Sequence, residues 1–209
     1  MHGNILDSLS ARNGHFLLES GHHGSLWLDL ETLCLKPERI NALANSLSTA
    51  LSEANIEMVC APLVEGAFVG LIVALRLEVP FAYSERFARS AGGGLFPSGY
   101  RVPGSLRNHV RGKRIAIVDD VINAGSSVRG TFEDLKSCGA EVVAIGALLV
   151  LGTAASQFAV EKNVPLKALG HAANNIWIPS GCPLCAAGVP LEDVASLGPR
   201  APFNIEGAT

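Results

Sequence analysis

The chain is short of charge: Asp, Glu, Lys and Arg make up only 17% of its 209 residues, against 48% hydrophobic content. That balance argues against disorder and suits one well-cored domain. An excess of either sign is missing too. With a formal net charge of −3 there is no general basic field to hold duplex nucleic acid or an anionic membrane, so neither is expected as a partner. A small phosphorylated ligand needs only local positive charge. Long apolar runs are also lacking. The stretch Val142 to Leu151 is too short to span a bilayer and reads as an interior strand. The opening residues MHGNILDSLSARNGH lack the basic start, apolar segment and small-residue cleavage site of a secretory signal, so a cytoplasmic location is expected. Cysteine is scarce and odd in number, five residues, which argues for reduced thiols and against a disulfide framework. No internal repeat is visible.

What is present is an alternation of apolar strands and amphipathic helices. Ile5, Leu6 and Leu9 suggest a short first helix; Phe16 and Leu18, then Leu26, Leu28 and Leu30, alternate as strands do. Pro37 sits where a helix can begin, and Ile40, Leu43, Ala44, Leu47, Ala50, Leu51 and Ala54 recur at helical spacing. Met58 to Ala61 reads as a strand, Gly66 to Leu77 as an apolar helix, and Val79 to Tyr83 as the next strand. Beyond Gly130, a helix over Thr131 to Ser137, a strand over Glu141 to Leu151, a helix over Ala154 to Lys162 and a strand over Pro165 to Leu169 follow. Such alternation predicts an α/β fold, with a central parallel sheet flanked by helices. Ligands in such sheets collect outside the carboxyl ends of the strands. The loops after Ala61, Tyr83, Asp120 and Leu151 should therefore surround one crevice.

The segment Arg114 to Gly130, RIAIVDDVINAGSSVRG, carries the most chemistry. A β-branched strand at Ile115 to Val118 delivers Asp119 and Asp120 into a small-residue loop that opens a helix. Ser126 and Ser127 can cap that helix, whose free N–H groups suit an anion. Two ionised carboxylates where the chain leaves the strand cannot themselves hold a phosphate; they suit sugar hydroxyls or Mg²⁺. Paired Asp at a strand end also occurs in receiver domains and other magnesium-binding α/β proteins. The run resembles the phosphoribosyl-diphosphate signature of type I phosphoribosyltransferases, and the resemblance implies that family's fold with a small N-terminal hood. It implies that Asp119 and Asp120 hold the ribose hydroxyls with Mg²⁺ nearby. Val121, Ile122, Asn123, Ala124, Gly125, Ser126 and Ser127 would then wrap the 5-phosphate.

Other segments are similar to the orotate branch of the family. Leu63, Val64, Glu65 and Gly66 after Ala61-Pro62 look like its diphosphate loop. The stretch Ser84 to Lys113 contains Gly92-Gly93-Gly94 and Arg86, Arg89, Arg101, Arg107 and Arg111, and looks like its catalytic lid. The resemblance implies that Arg86, then Arg89, close over the diphosphate, often from the neighbouring subunit of a homodimer. Gly14 to His23 and Ser25 to Leu30 look like its hood, implying that Phe16, Glu19 and Asn123 face the base. His22 and His23 read as a solvated surface turn or as substitute donors. Departures exist: Glu19 stands where relatives carry Ser or Lys, Asn123 where a Thr contacts orotate, and Gly152-Thr153 where an Arg meets the orotate carboxylate. A planar guanidinium is the natural partner of a buried carboxylate, so this last one bears on the choice of base.

The tail holds a Cys-x-x-Cys, Cys182-Pro183-Leu184-Cys185. Similar tails close one bacterial branch of orotate phosphoribosyltransferase-like proteins. One such pair is half a tetrahedral zinc site, with His171 the nearest further ligand. A tight turn with buried thiols is the preferred reading, ahead of zinc or a redox pair. Cys34, Cys60 and Cys138 read as core. The expected organisation is a single domain over 1–209, with a hood at 1–35, an α/β core at 36–170 and an appendage at 171–209. The expected activity is Mg²⁺-dependent transfer of ribose 5-phosphate from phosphoribosyl diphosphate to a nucleobase, orotate first. The alternative is a regulator that binds phosphoribosyl diphosphate or a nucleotide without catalysis.

Overall fold

A computed structural model of the chain describes residues 5–9, 11–17, 22–28, 30–88, 98–173 and 175–193. In chain order its elements are α1 (Ile5–Ser8), β1 (Ala11–Leu17), β2 (His23–Leu28), α2 (Leu30–Leu33), α3 (Pro37–Leu51), β3 (Met58–Pro62), α4 (Glu65–Leu77), β4 (Phe81–Ala88) and β5 (Ser98–Arg101). They continue with α5 (Arg107–Val110), β6 (Arg114–Ile122), α6 (Ser126–Ser137), β7 (Glu141–Leu151), α7 (Ala154–Lys162), β8 (Leu166–Ala172), β9 (Ile176–Trp177), α8 (Pro183–Ala186) and β10 (Glu192–Asp193). The chain divides into two compact units, one formed by 1–10 and 29–173, the other by 11–28 and 174–209.

The larger unit is built on a six-stranded sheet in the order β5-β4-β3-β6-β7-β8. All neighbours pair in parallel except β4 and β5. Parallel strands covered by helices on both faces read as unbroken apolar runs, and β7 is such a run, with Ala144, Ile145, Ala147, Leu148, Leu149 and Val150 fully buried. Burial of each large aliphatic side chain contributes roughly 1.5–3 kcal/mol, which is why these strands sit at the centre. α3 begins at Pro37 and buries Ile40, Ala44, Leu47, Ser48 and Leu51, the face expected from its spacing. α4 lies unusually close to the sheet. A side chain at Gly70 would stand 2.6 Å from the Ala61 Cβ, so only glycine lets the helix approach β3 this far.

Three expectations change at element ends. β6 runs on through both aspartates to Ile122, because Asp119, Val121 and Ile122 continue its ladder with Ala147, Leu149 and Val150 of β7. β4 extends to Ala88 and pairs back with β5 through Glu85↔Arg101, Arg86↔Tyr100, Phe87↔Gly99 and Ala88↔Ser98. Much of the stretch read as one loop from Ser84 to Lys113 is therefore a hairpin stem followed by α5; residues 89–97, with the glycine run, lie outside the described residues. β8 reaches Ala172, since its ladder with β7 continues to Leu151↔Ala172.

The smaller unit is a four-stranded sheet in the order β10-β1-β2-β9. β1 and β2 form an antiparallel hairpin with a register irregularity between Asn13 and Phe16. β9 pairs antiparallel with β2, and β10 pairs parallel with β1. Segments expected as a hood and an appendage at opposite ends of the chain thus contribute strands to one sheet.

Candidate active site

Asp119 and Asp120 lie in the last turn of the pleat of β6, 4% and 6% exposed. The Ser127 hydroxyl donates to Asp119 Oδ2 at 2.8 Å, and the Asp120 N–H donates to Asp119 Oδ1 at 3.1 Å. Asp120 Oδ2 is buried with no hydrogen-bond partner among the described residues. Burial, then the charge of Asp120, pushes the Asp119 carboxyl well above the usual carboxylate range. Asp120 is pushed up as well, by burial first and also by the charge of Glu65. Burial thus works against the full negative charge that the sequence leads one to expect at the strand end. A cation or a set of hydroxyl donors would restore the charged form. The orphaned Asp120 oxygen next to the Asp119 carboxylate suits a Mg²⁺ or sugar-hydroxyl site, so the residues present fit the ion the family resemblance implies.

After Ile122 the chain bends through Asn123 and Ala124, and Gly125 takes the left-handed conformation, φ +78°, that glycine adopts without penalty. Gly125 is the N-cap of α6 and no side chain caps the helix. Ser126 and Ser127 are therefore corrected from caps to first-turn residues, because the Ser127 hydroxyl is drawn to Asp119. The uncapped amide end carries the positive pole of the helix and suits a phosphate. Val121 is half-buried and Ile122 is 1% exposed, both within the strand.

Across from this end, β3 leads into α4 through Leu63 and Val64, which are 40% and 57% exposed. The Leu63–Val64 peptide is cis. The Leu63 N–H is already used, donating to the Ser84 carbonyl at 2.9 Å. Glu65 and Gly66 open the helix. A side chain on Gly66 would overlap Asp119 Oδ1, so glycine here keeps room for the carboxylate, a role the sequence did not reveal. Arg86 lies exposed on β4 opposite Tyr100. The Tyr100 hydroxyl is pushed up by burial; the Arg86 charge opposes this, and those of Asp119 and Glu65 add to it.

Other basic residues of that stretch have structural partners. Arg107 Nη1 donates to both Asp134 carboxylate oxygens at 3.1 and 3.0 Å, and Arg101 meets Glu85 at 3.4 Å. His109 is exposed on α5. Arg129 of α6, unremarked in the sequence, lays its guanidinium 4.4 Å from the Phe158 ring centroid and donates to the Ala154 carbonyl at 3.2 Å. A cation therefore stands at the loop after β7. Glu19 and Arg89 lie outside the described residues. Phe16 belongs to the smaller unit, fully buried, 6.3 Å from the Trp27 ring and beneath the Arg12 guanidinium at 5.2 Å. Cys60 and Cys138 are buried as expected, and burial pushes the Cys60 thiol up to about 12. Cys34 is half-buried. His171 is exposed on β8 of the larger unit, whereas Cys182 and Cys185 meet His15 and His23. His23 is 6% exposed, which corrects its reading as a solvated turn.

A strand-end acid pair running into an uncapped helix start is the layout of a sugar-phosphate enzyme, and the comparisons with known proteins agree. The phosphoribosyl transferase domain profile matches residues 35–184, and the chain belongs to that family of transferases. More particularly, it is 30% identical over 195 residues to the orotate phosphoribosyltransferase of Thermotoga maritima, covering 93% of this chain and 97% of that one. The Helicobacter pylori orotate phosphoribosyltransferase is also 30% identical, over 86% of this chain and 90% of that one. Among solved structures, the orotate phosphoribosyltransferase of Aeropyrum pernix matches with a TM-score of 0.61 at 24% identity, over 80% of this chain and 91% of that one. Adenine phosphoribosyltransferase from Thermoanaerobacter pseudethanolicus matches with a TM-score of 0.59 at 20% identity, over 70% of this chain and 88% of that one, so the fold alone does not choose the base.

Proposed function

We propose that the chain transfers ribose 5-phosphate from phosphoribosyl diphosphate to a ring nitrogen of orotate, with loss of diphosphate, as a step of pyrimidine nucleotide synthesis. The observation that carries this reading is the buried Asp119–Asp120 pair, with its unpartnered Asp120 Oδ2, at the head of the uncapped α6. The aspartates accept from the ribose hydroxyls. Amides of 123–127 and the Ser126 and Ser127 side chains hold the 5-phosphate. The start of α4, at Val64, Glu65 and Gly66, receives the diphosphate, and Arg86 and, by the family resemblance, Arg89 supply positive charge to it. Charge that grows on the departing diphosphate while the sugar becomes cationic is met by positions set in advance, so orientation and electrostatics supply the rate. Mg²⁺ bound with the diphosphate near Asp119 and Asp120 would add positive charge there.

Asn123 faces the base in this reading. Arg129 supplies the cation for the orotate carboxylate in place of the Arg absent after β7. A homodimer completes it: Phe68, Leu71 and Leu75 make an apolar stripe on α4, 46%, 53% and 73% exposed, a surface suited to a second copy. No helix among the described residues is long and apolar enough to cross a membrane. A cytoplasmic place of work, where thiols stay reduced, goes with the same reading.

The test is diphosphate release from phosphoribosyl diphosphate and Mg²⁺, with orotate, uracil, hypoxanthine and adenine supplied separately. Release with orotate alone, lost in Asp119→Asn/Asp120→Asn and needing more orotate in Arg129→Ala, is the expected result. Release with a purine and not with orotate would keep the transferase and reject the base. Absence of release with every base would reject the activity.

A further inference from the structure

The smaller unit has a centre that its apolar side chains do not explain. Its strands are 7, 6, 2 and 2 residues long. Among its described residues the buried hydrophobic side chains are Phe16 and Cys182, and the other buried side chains are His15 and His23. Sheets this small are marginal in water, and small folding units commonly rely on a disulfide or a metal. The cysteines of this chain are free thiols. Four donor atoms meet there instead, three from the buried His15, His23 and Cys182 and one from Cys185, which is exposed and so corrects its reading as a buried thiol.

Their geometry is that of a coordination shell. His15 Nε2 lies 3.0 Å from His23 Nδ1 and 3.4 Å from Cys182 Sγ; Cys185 Sγ lies 3.2 Å from His23 Nδ1 and 3.7 Å from His15 Nε2. The four ligand atoms lie within 4.8 Å of one another. For a tetrahedral zinc with its usual bond lengths, the edges would be about 3.3 Å for nitrogen–nitrogen, 3.6 Å for nitrogen–sulfur and 3.8 Å for sulfur–sulfur. The four separations given above lie within about 0.4 Å of those edges, and the longest in the set calls for a side-chain shift of about 1 Å. The outer shell is in place too. His15 Nδ1–H donates to the Val189 carbonyl at 2.8 Å, which turns the lone pair of Nε2 toward the cluster. The turn around Cys182 and Cys185 is held by backbone bonds from Ala186 to Cys182, Gly188 to Cys185 and Val189 to Leu184, at 3.2, 3.0 and 3.0 Å. Gly188, at φ +69°, closes the turn.

The geometry points to a structural Zn²⁺ site formed by His15, His23, Cys182 and Cys185, which ties the β1–β2 hairpin to the C-terminal segment. Two sulfurs and two imidazole nitrogens, with no fifth His, Cys, Asp or Glu donor grouped with them among the described residues, suit a closed structural site rather than a catalytic one. Binding releases the thiol protons as both sulfurs become thiolate ligands. The site joins residues 15 and 185, so the metal closes a long loop that two-residue strands hold weakly.

The test is metal analysis of the full chain purified without a metal-affinity step, followed by cobalt replacement. Expected are one zinc per chain and, in the cobalt form, a thiolate charge-transfer band with the intense visible bands of tetrahedral cobalt. Cys182→Ser/Cys185→Ser should lose both metal and spectrum, while His171→Asn should keep them. Removing zinc from the unmodified chain with a strong chelator should lower its melting temperature, and added zinc should restore it. This readout stands even where the double variant folds poorly. A protein that arrives without zinc and shows no tetrahedral cobalt spectrum, or a double variant that keeps a full zinc, would overturn the assignment.

Discussion

At the scale of single residues, the larger unit stores its functional potential in an unfavourable pair. Asp119 and Asp120 are buried side by side, and each is raised above its ordinary pKa chiefly by that burial. The folded chain therefore binds protons at these sites more tightly than the unfolded one. Their contribution to stability is fully present below the unfolded carboxylate pKa of about 3.9 and is lost as pH rises through the higher folded values. Asp120→Asn keeps the shape and removes the charge. We expect it to stabilise the ligand-free protein at neutral pH by about 1 kcal/mol, with a flatter dependence of unfolding free energy on pH from mildly acidic to neutral. Chemical denaturation at several pH values measures both; an unchanged slope would mean that the pair is ionised and screened. The same substitution should abolish turnover. Of this arrangement the residue types and the loop were legible from the sequence, because a β-branched strand, paired Asp and a small-residue loop follow one another without interruption. The support of Asp119 by Ser127 and the space left by Gly66 were not, since both depend on how α6 and α4 close on the end of β6.

At the scale of elements, α6 matters most, because it presents its amide end to the site and its flank to the β4–β5 hairpin. Three contacts hold that flank. The Ser84 and Thr131 hydroxyls share a buried hydrogen bond of 2.6 Å; Gly130 lies against Tyr100, where a Cβ would stand 3.1 Å from the Tyr100 nitrogen; and Asp134 accepts from the Val102 N–H at 2.7 Å while it pairs with Arg107. Asp134→Ala would leave a backbone donor and a guanidinium without their partner, at a cost of about 1–3 kcal/mol in unfolding free energy. A shift of the urea midpoint at constant slope checks this, and a midpoint within error of the unmodified chain would refute it. The long stretch after Tyr83 reads from composition as one lid, rich in glycine and arginine. Its stem is instead a strand pair, because cross-strand pairing and the Asp134 anchor come from partners distant in sequence.

At the scale of the whole molecule, two units rest on different physics. The larger has an extensive apolar core. The smaller has, among its described residues, few buried hydrophobic side chains and four convergent ligand atoms. The proposed homodimer would add a further level through the α4 stripe, where Phe68, Leu71 and Leu75 are exposed in line. Phe68→Glu/Leu75→Glu should convert a dimer into a monomer, read by sedimentation equilibrium. A double variant that sediments as the unmodified protein does would place the interface elsewhere.

Sequence alone determined the alternation of strand and helix, the parallel sheet and the acid pair with its phosphate-suited loop. Those features depend on contiguous residues, where periodicity and spacing carry the physics. Tertiary structure decided what no local pattern encodes. It set the depth at which Asp119 and Asp120 are buried, which raises the pKa of both. It brought Arg129 to the loop after β7. It also brought together His15 and His23 with Cys182 and Cys185, which lie at opposite ends of the chain and meet only because one small sheet takes strands from both.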